Sequence, residues 1–92
     1  MVRKIIQLTD GSGKRFNINK AKKYESDYII DGEKRICKAT GSQWIYETLY
    51  KTSKGFWVKH WQWHYTKEYW YLISEEEAMD WLNKNAPSAL EK

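Results

Sequence analysis

Ninety-two residues, 11.1 kDa, suit a single domain and exclude a two-domain enzyme with a separate cofactor module, because domains usually run to roughly 100 to 200 residues. A mean hydropathy of -0.86 with 30% charged residues would suit a disordered chain, but 15 aromatic residues, six of them Trp, call for a packed core. The net charge of +4 argues against an acidic mimic of DNA, and the lone Cys37 excludes an intrachain disulfide.

The predicted elements follow the punctuation by glycine. Short stretches rich in Ile, Val, Thr, Trp and Tyr lie between Asp10-Gly11-Ser12-Gly13, Asp31-Gly32, Gly41 and Lys54-Gly55, which reads as antiparallel hairpins. Strands are expected over residues 3–9, 14–18, 27–30, 34–40, 43–52, 56–65 and 68–73. Asn19 can cap one short helical turn over 20–24, although three lysines there leave no apolar stripe to bury. A helix begins at Ser74, where Glu77 three residues on completes a capping box and three glutamates suit the positive end of the helix dipole. Ala78, Trp81, Leu82 and Ala86 form its apolar stripe, and Pro87 stops it after Asn85. The expected fold is α+β: a twisted antiparallel β-sheet of hairpins with one C-terminal α-helix packed on a face. Residues 1–87 form the single domain and 88–92 a frayed tail.

The central hairpin determines which side chains share a face. Thr52-Ser53-Lys54-Gly55-Phe56 fits a three-residue loop with Gly55 left-handed, so that Tyr50 opposes Val58 and Leu49 opposes Lys59. One face then carries Trp44, Tyr46, Thr48, Tyr50, Phe56, Val58, His60 and Gln62; the other carries Ile45, Glu47, Leu49, Lys51, Trp57, Lys59, Trp61 and Trp63. Large aromatics fall on both faces while only one helix is available as a cover. Either some Trp and Tyr stay partly exposed, or the sheet curls into a partial barrel that hides both rows.

Charge is uneven along the chain: residues 1–67 hold 14 Lys and Arg against 6 Asp and Glu, whereas 68–92 hold 2 against 6. A basic sheet with an acidic helix would orient its sheet toward a polyanion. Exposed rings interleaved with lysines are what a surface needs to stack bases and neutralise phosphates. The competing reading is that these lysines keep a small sheet protein soluble and protect its edges.

Other chemistry finds little support. His60 and His64 are four apart in a strand, where they are separated by about 13 Å, far beyond two ligands on one ion at about 2 Å each. Gly13-Lys14 lacks the preceding Gly and the following Ser or Thr of a phosphate loop, holding Leu8 and Arg15 in those places. Glu47 with His60, or Cys37 with a histidine, would make an acid-base or nucleophilic pair, but Glu47 serves more simply as a cross-strand partner for a lysine and Cys37 as a small buried hydrophobe. No enzymatic activity, cofactor or metal is therefore expected. The apolar cluster Ile5, Ile6, Leu8 is too short for a secretory signal, and the run 69–73 is far below the roughly 20 residues that span a bilayer, so a soluble, cytoplasmic protein is expected.

At Ala39-Thr-Gly-Ser-Gln-Trp44, Glu47-Thr-Leu-Tyr50, Gly55-Phe-Trp-Val58 and Ile73-Ser-Glu-Glu-Glu-Ala78 followed by Trp81-Leu82, the chain resembles short uncharacterised proteins of bacterial and mobile-element (phage and plasmid) genomes. The resemblance covers about half the chain and implies an accessory protein that occludes a host or defence component; it assigns no functional residue. The expected function is that of a non-enzymatic binding module. Its surface is the sheet side with Lys51, Trp57, Lys59, Trp61 and Trp63, flanked by a basic patch of Lys14, Arg15, Lys20, Lys22 and Lys23. The favoured ligand is single-stranded or structured nucleic acid. The alternative is a protein, a host or defence factor gripped by the same rings, which would make the chain an inhibitor or antitoxin-like regulator. A homodimer is a further option, since an open strand edge can pair with its own copy.

Overall fold

The computed structural model describes residues 5–64 and 66–87, so the expected tail at 88–92 lies outside the described residues. Among them are eight strands in three antiparallel sheets and one α-helix at the C-terminal end, the α+β arrangement that the hairpin spacing implies. The centre is a four-stranded sheet in the order β3-β6-β7-β8, formed by β3 (Lys22–Glu25), β6 (Ile45–Lys51), β7 (Trp57–Trp63) and β8 (Lys67–Ile73). Two short hairpins stand outside it: β1 (Ile5–Gln7) with β2 (Arg15–Asn17), and β4 (Tyr28–Asp31) with β5 (Lys34–Cys37).

The β6–β7 hairpin has the register that its loop dictates. Gly55 is left-handed at φ +95°, Thr52 N–H donates to Phe56 O at 2.9 Å, and Tyr50 faces Val58 as Leu49 faces Lys59. Every side chain of β6 and β7 therefore falls on its expected face, because alternation carries one correct pairing along both strands.

Residues 20–24 depart from expectation. Instead of a turn of helix capped by Asn19, a 3-10 turn spans Ile18–Lys20 with Asn17 as its cap, accepting from Asn19 N–H at 2.9 Å. Lys22–Glu25 then runs as β3 along the edge of β6, with Tyr24 opposite Leu49. The reason is tertiary: with no apolar stripe, the lysine-rich segment gains nothing as a helix, whereas the open edge of β6 offers it a ladder of backbone hydrogen bonds.

Both faces of the central sheet are covered, by different elements, and the sheet does not close into a barrel. Helix α1 (Glu75–Asn85) packs Ala78, Trp81 and Leu82 on Leu49 and Trp57, with Tyr24 and Ile73 at the margin. On the reverse face the β1–β2 hairpin lays Leu8 and Phe16 on Tyr50, Val58 and Trp70. Phe16, Tyr50 and Trp70 make a triangle of tilted rings with centroids 5.7 to 5.9 Å apart.

The helix crosses the sheet on a diagonal. It starts beside Ile73, which pairs with Trp57 at the hairpin end of β8. Its other end is tied to the opposite edge, where Asn85 O accepts from Asp27 N–H at 2.7 Å, just beyond β3. The corner left open is the far end of β7 and β8. No helix among the described residues is long and apolar enough to cross a membrane.

Candidate functional site

The diagonal helix divides the aromatic face on which the sequence places the working surface. Trp57 lies beneath the helix at 4% exposure and belongs to the core, so it is removed from any binding surface. Lys51 stays exposed, but its Nζ sits 5.4 Å from the Trp57 ring, and Lys22 Nζ likewise lies 5.2 Å from Tyr24; both cap the edge of that core. Beyond the helix, Trp61 is half-buried and Trp63 is exposed. Lys59 is half-buried, with its Nζ 5.6 Å from the Tyr71 ring.

Two residues outside the expected set are also exposed at this end of the sheet. Tyr69 is 48% exposed and packs against its cross-strand partner Trp61 at 5.4 Å. Trp44 is 50% exposed and stacks on His64 at 4.8 Å, where His64 N–H donates to Trp44 O at 2.9 Å and His64 takes a left-handed φ of +54°. The other histidine lies on the opposite face, stacked 3.6 Å from Trp70 with Nε2 2.8 Å from Glu68 Oε1. Among the described residues no group of His, Cys, Asp or Glu is placed to hold a metal ion.

A second recess adjoins the open corner. Thr9, Asp10, Trp61, Tyr69 and Tyr71 line a hollow of about 540 Å³. Its carboxylate wall is held against the outer edge of β8: Asp10 Oδ2 accepts from Leu72 N–H at 2.8 Å and Oδ1 from Ser12 N–H at 2.9 Å. The Leu72 and Ser12 hydrogen bonds hold the Asp10 carboxyl below its ordinary value of 3.8, so it is ionised at neutral pH. Thr9 completes the edge, its N–H donating to Trp70 O at 2.7 Å and its Oγ1 accepting from Trp70 N–H at 2.9 Å.

The expected basic patch does not hold together. Alternation along β3 sends Lys22 toward the helix side and Lys23 to the reverse side, where Lys23 Nζ lies 3.8 Å from Glu25. Lys14, Arg15 and Lys20 do converge at the other end of the molecule. There Arg15 and Lys20, joined by Lys54 from the hairpin loop, line a cleft of about 500 Å³ with Ile5, Phe16, Asn17, Thr52, Ser53 and Phe56. Lys14 Nζ stands 5.7 Å from the Phe56 ring. No acidic side chain lines the cleft, and Arg15, Lys20 and Lys54 make no ion pair among the described residues. Lys54 and Phe56 are visible in the sequence as loop residues, but nothing local announces that β2 would be laid beside that loop.

Glu47 also differs from expectation. Among the described residues it makes no ion pair with a lysine, and it faces away from His60; its Oε1 accepts from Trp81 Nε1 at 2.8 Å, joining sheet to helix. Cys37 is fully buried. Compared with known proteins, the chain matches no family model, no curated protein and no solved structure.

Proposed function

We propose that this chain is a small non-enzymatic binding module that takes the phosphates of single-stranded or structured nucleic acid in its basic cleft. The observation that carries the reading is the convergence of Arg15, Lys20 and Lys54, with no acidic partner among the described residues, around one recess walled by Phe16 and Phe56. Clustered cations in a concave site focus a positive field, Arg offers a planar fork that fits phosphate oxygens, and the half-exposed Phe56 supplies a face for a base, worth about 1 to 3 kcal/mol. Lys14 beside Phe56 extends the positive rim.

The test is fluorescence anisotropy with labelled single-stranded DNA, RNA and duplex DNA at several salt concentrations. Three neutralised phosphates on a single strand correspond to a log-log salt slope of about -2. Changing Arg15, Lys20 and Lys54 together to Gln should abolish that salt-dependent binding while the far-UV circular dichroism is unchanged. A folded triple variant that binds like the parent would overturn the reading.

A protein partner is the second reading, and a separate observation favours it. Trp44, Trp63 and Tyr69 are exposed together at the end of the sheet remote from the cleft, and Trp and Tyr are the residues that dominate interface hot spots. Such an interface should change little with salt, and Trp63→Ala should weaken it without altering nucleic-acid binding at the cleft.

A further inference from the structure

We propose that the recess formed by Trp61, Tyr69, Tyr71 and Asp10 is a site for an organic cation, an alkylated ammonium or a guanidinium group. This stands on different residues from the phosphate cleft and carries the opposite charge preference. Trp61 and Tyr69 both line the hollow, with ring centroids 5.4 Å apart and planes tilted at 42°, and Tyr71 follows two positions along β8 on the same face. Aromatic faces present negative quadrupole potential, and several of them around one hollow attract a large, weakly hydrated cation.

Asp10 adds a full negative charge to that wall. It makes no ion pair among the described residues, since both of its oxygens are committed to backbone N–H groups that orient it without neutralising it. The same carboxylate repels phosphate, which separates this recess from the cleft at the other end. A single carboxylate among rings is a poor site for a hard metal ion, which demands several oxygen ligands. The protein's own Lys59 ammonium, on the strand paired with β8, lies 5.6 Å from the Tyr71 centroid, within the range of a cation–π contact.

The experiment is isothermal titration calorimetry of the intact protein with four probes. They are choline, its neutral isostere 3,3-dimethylbutan-1-ol, a short peptide bearing trimethyl-lysine and the same peptide with arginine. Saturable binding of a cationic probe, with the neutral isostere at least about ten-fold weaker, is the expected result. Choline binding points to a free small molecule as the source of the cation, and binding of a peptide alone points to a side chain of a partner; either supports the site. Tyr69→Ala, at an exposed position, and Asp10→Asn should each weaken binding about ten-fold. Lys59→Met, which removes the internal competitor from the Tyr71 ring, should tighten it. Equal affinity for choline and its neutral isostere, no saturable response to any cationic probe, or wild-type affinity in folded Asp10→Asn and Tyr69→Ala would overturn the proposal.

Discussion

His60 shows how one side chain couples the sheet to pH. Its ring lies nearly parallel to Trp70, at 3.6 Å and 8°, and burial pushes its pKa below the ordinary 6.5, partly offset by Glu68 at 2.8 Å. A histidine with a depressed folded pKa binds fewer protons in the folded state than in the unfolded one. Its contribution to stability is therefore full above 6.5 and is lost as pH falls through the lower, folded value. The urea midpoint should fall between pH 7 and pH 5, and His60→Gln should flatten that dependence. An equal slope in the variant would assign the titration to another group. The stacking partner was not legible in the sequence, because Trp70 reaches His60 only through the pairing of β7 with β8.

At the scale of elements, helix α1 is the part most fully written in its own residues. Ser74 Oγ accepts from Glu77 N–H at 3.1 Å and Glu77 Oε1 accepts from Ser74 N–H at 3.2 Å, the reciprocal cap that Ser-x-x-Glu specifies. Trp81 is its anchor, 5% exposed between Leu49 and Trp57 with its indole N–H on Glu47. Trp81→Ala should cost about 3 to 5 kcal/mol by denaturant titration, and Ser74→Ala about 1 kcal/mol. A loss below about 1 kcal/mol for Trp81→Ala would mean that the helix is not held through this ring. Strand β3 is the contrasting case. Lys22-Lys23-Tyr24-Glu25 has too little apolar alternation to announce a strand, and its conformation is imposed by the edge it joins.

For the whole molecule, the two apolar layers share one wall. Leu49 and Tyr50 are neighbours in sequence that face opposite layers, as are Trp57 and Val58. Losing either cover exposes the strands that support the other, so unfolding should be a single cooperative transition. Trp57 and Trp81 report from one layer and Trp70 from the other. Trp fluorescence and far-UV circular dichroism should accordingly give coincident denaturation curves, whereas two separated transitions would mean that the faces fold independently. The same architecture keeps the positive cleft and the aromatic corner at opposite ends of the β6–β7 hairpin, which is why charge and rings interleaved in the sequence do not form one surface.

By itself the sequence determined what depends on near neighbours: the hairpin register through Gly55, the face of every residue along β6 and β7, and the start and stripe of α1. Which of those faces would be open was decided only by tertiary structure. Trp57 and Trp61 have the same side chain, strand and face, yet one is buried and the other lines a recess, because the helix passes over the first and not the second. The cover of the reverse face came from β1 and β2, some forty residues away along the chain. Burial is a property of what lies opposite a residue, and alternation along a strand specifies direction without specifying what stands there.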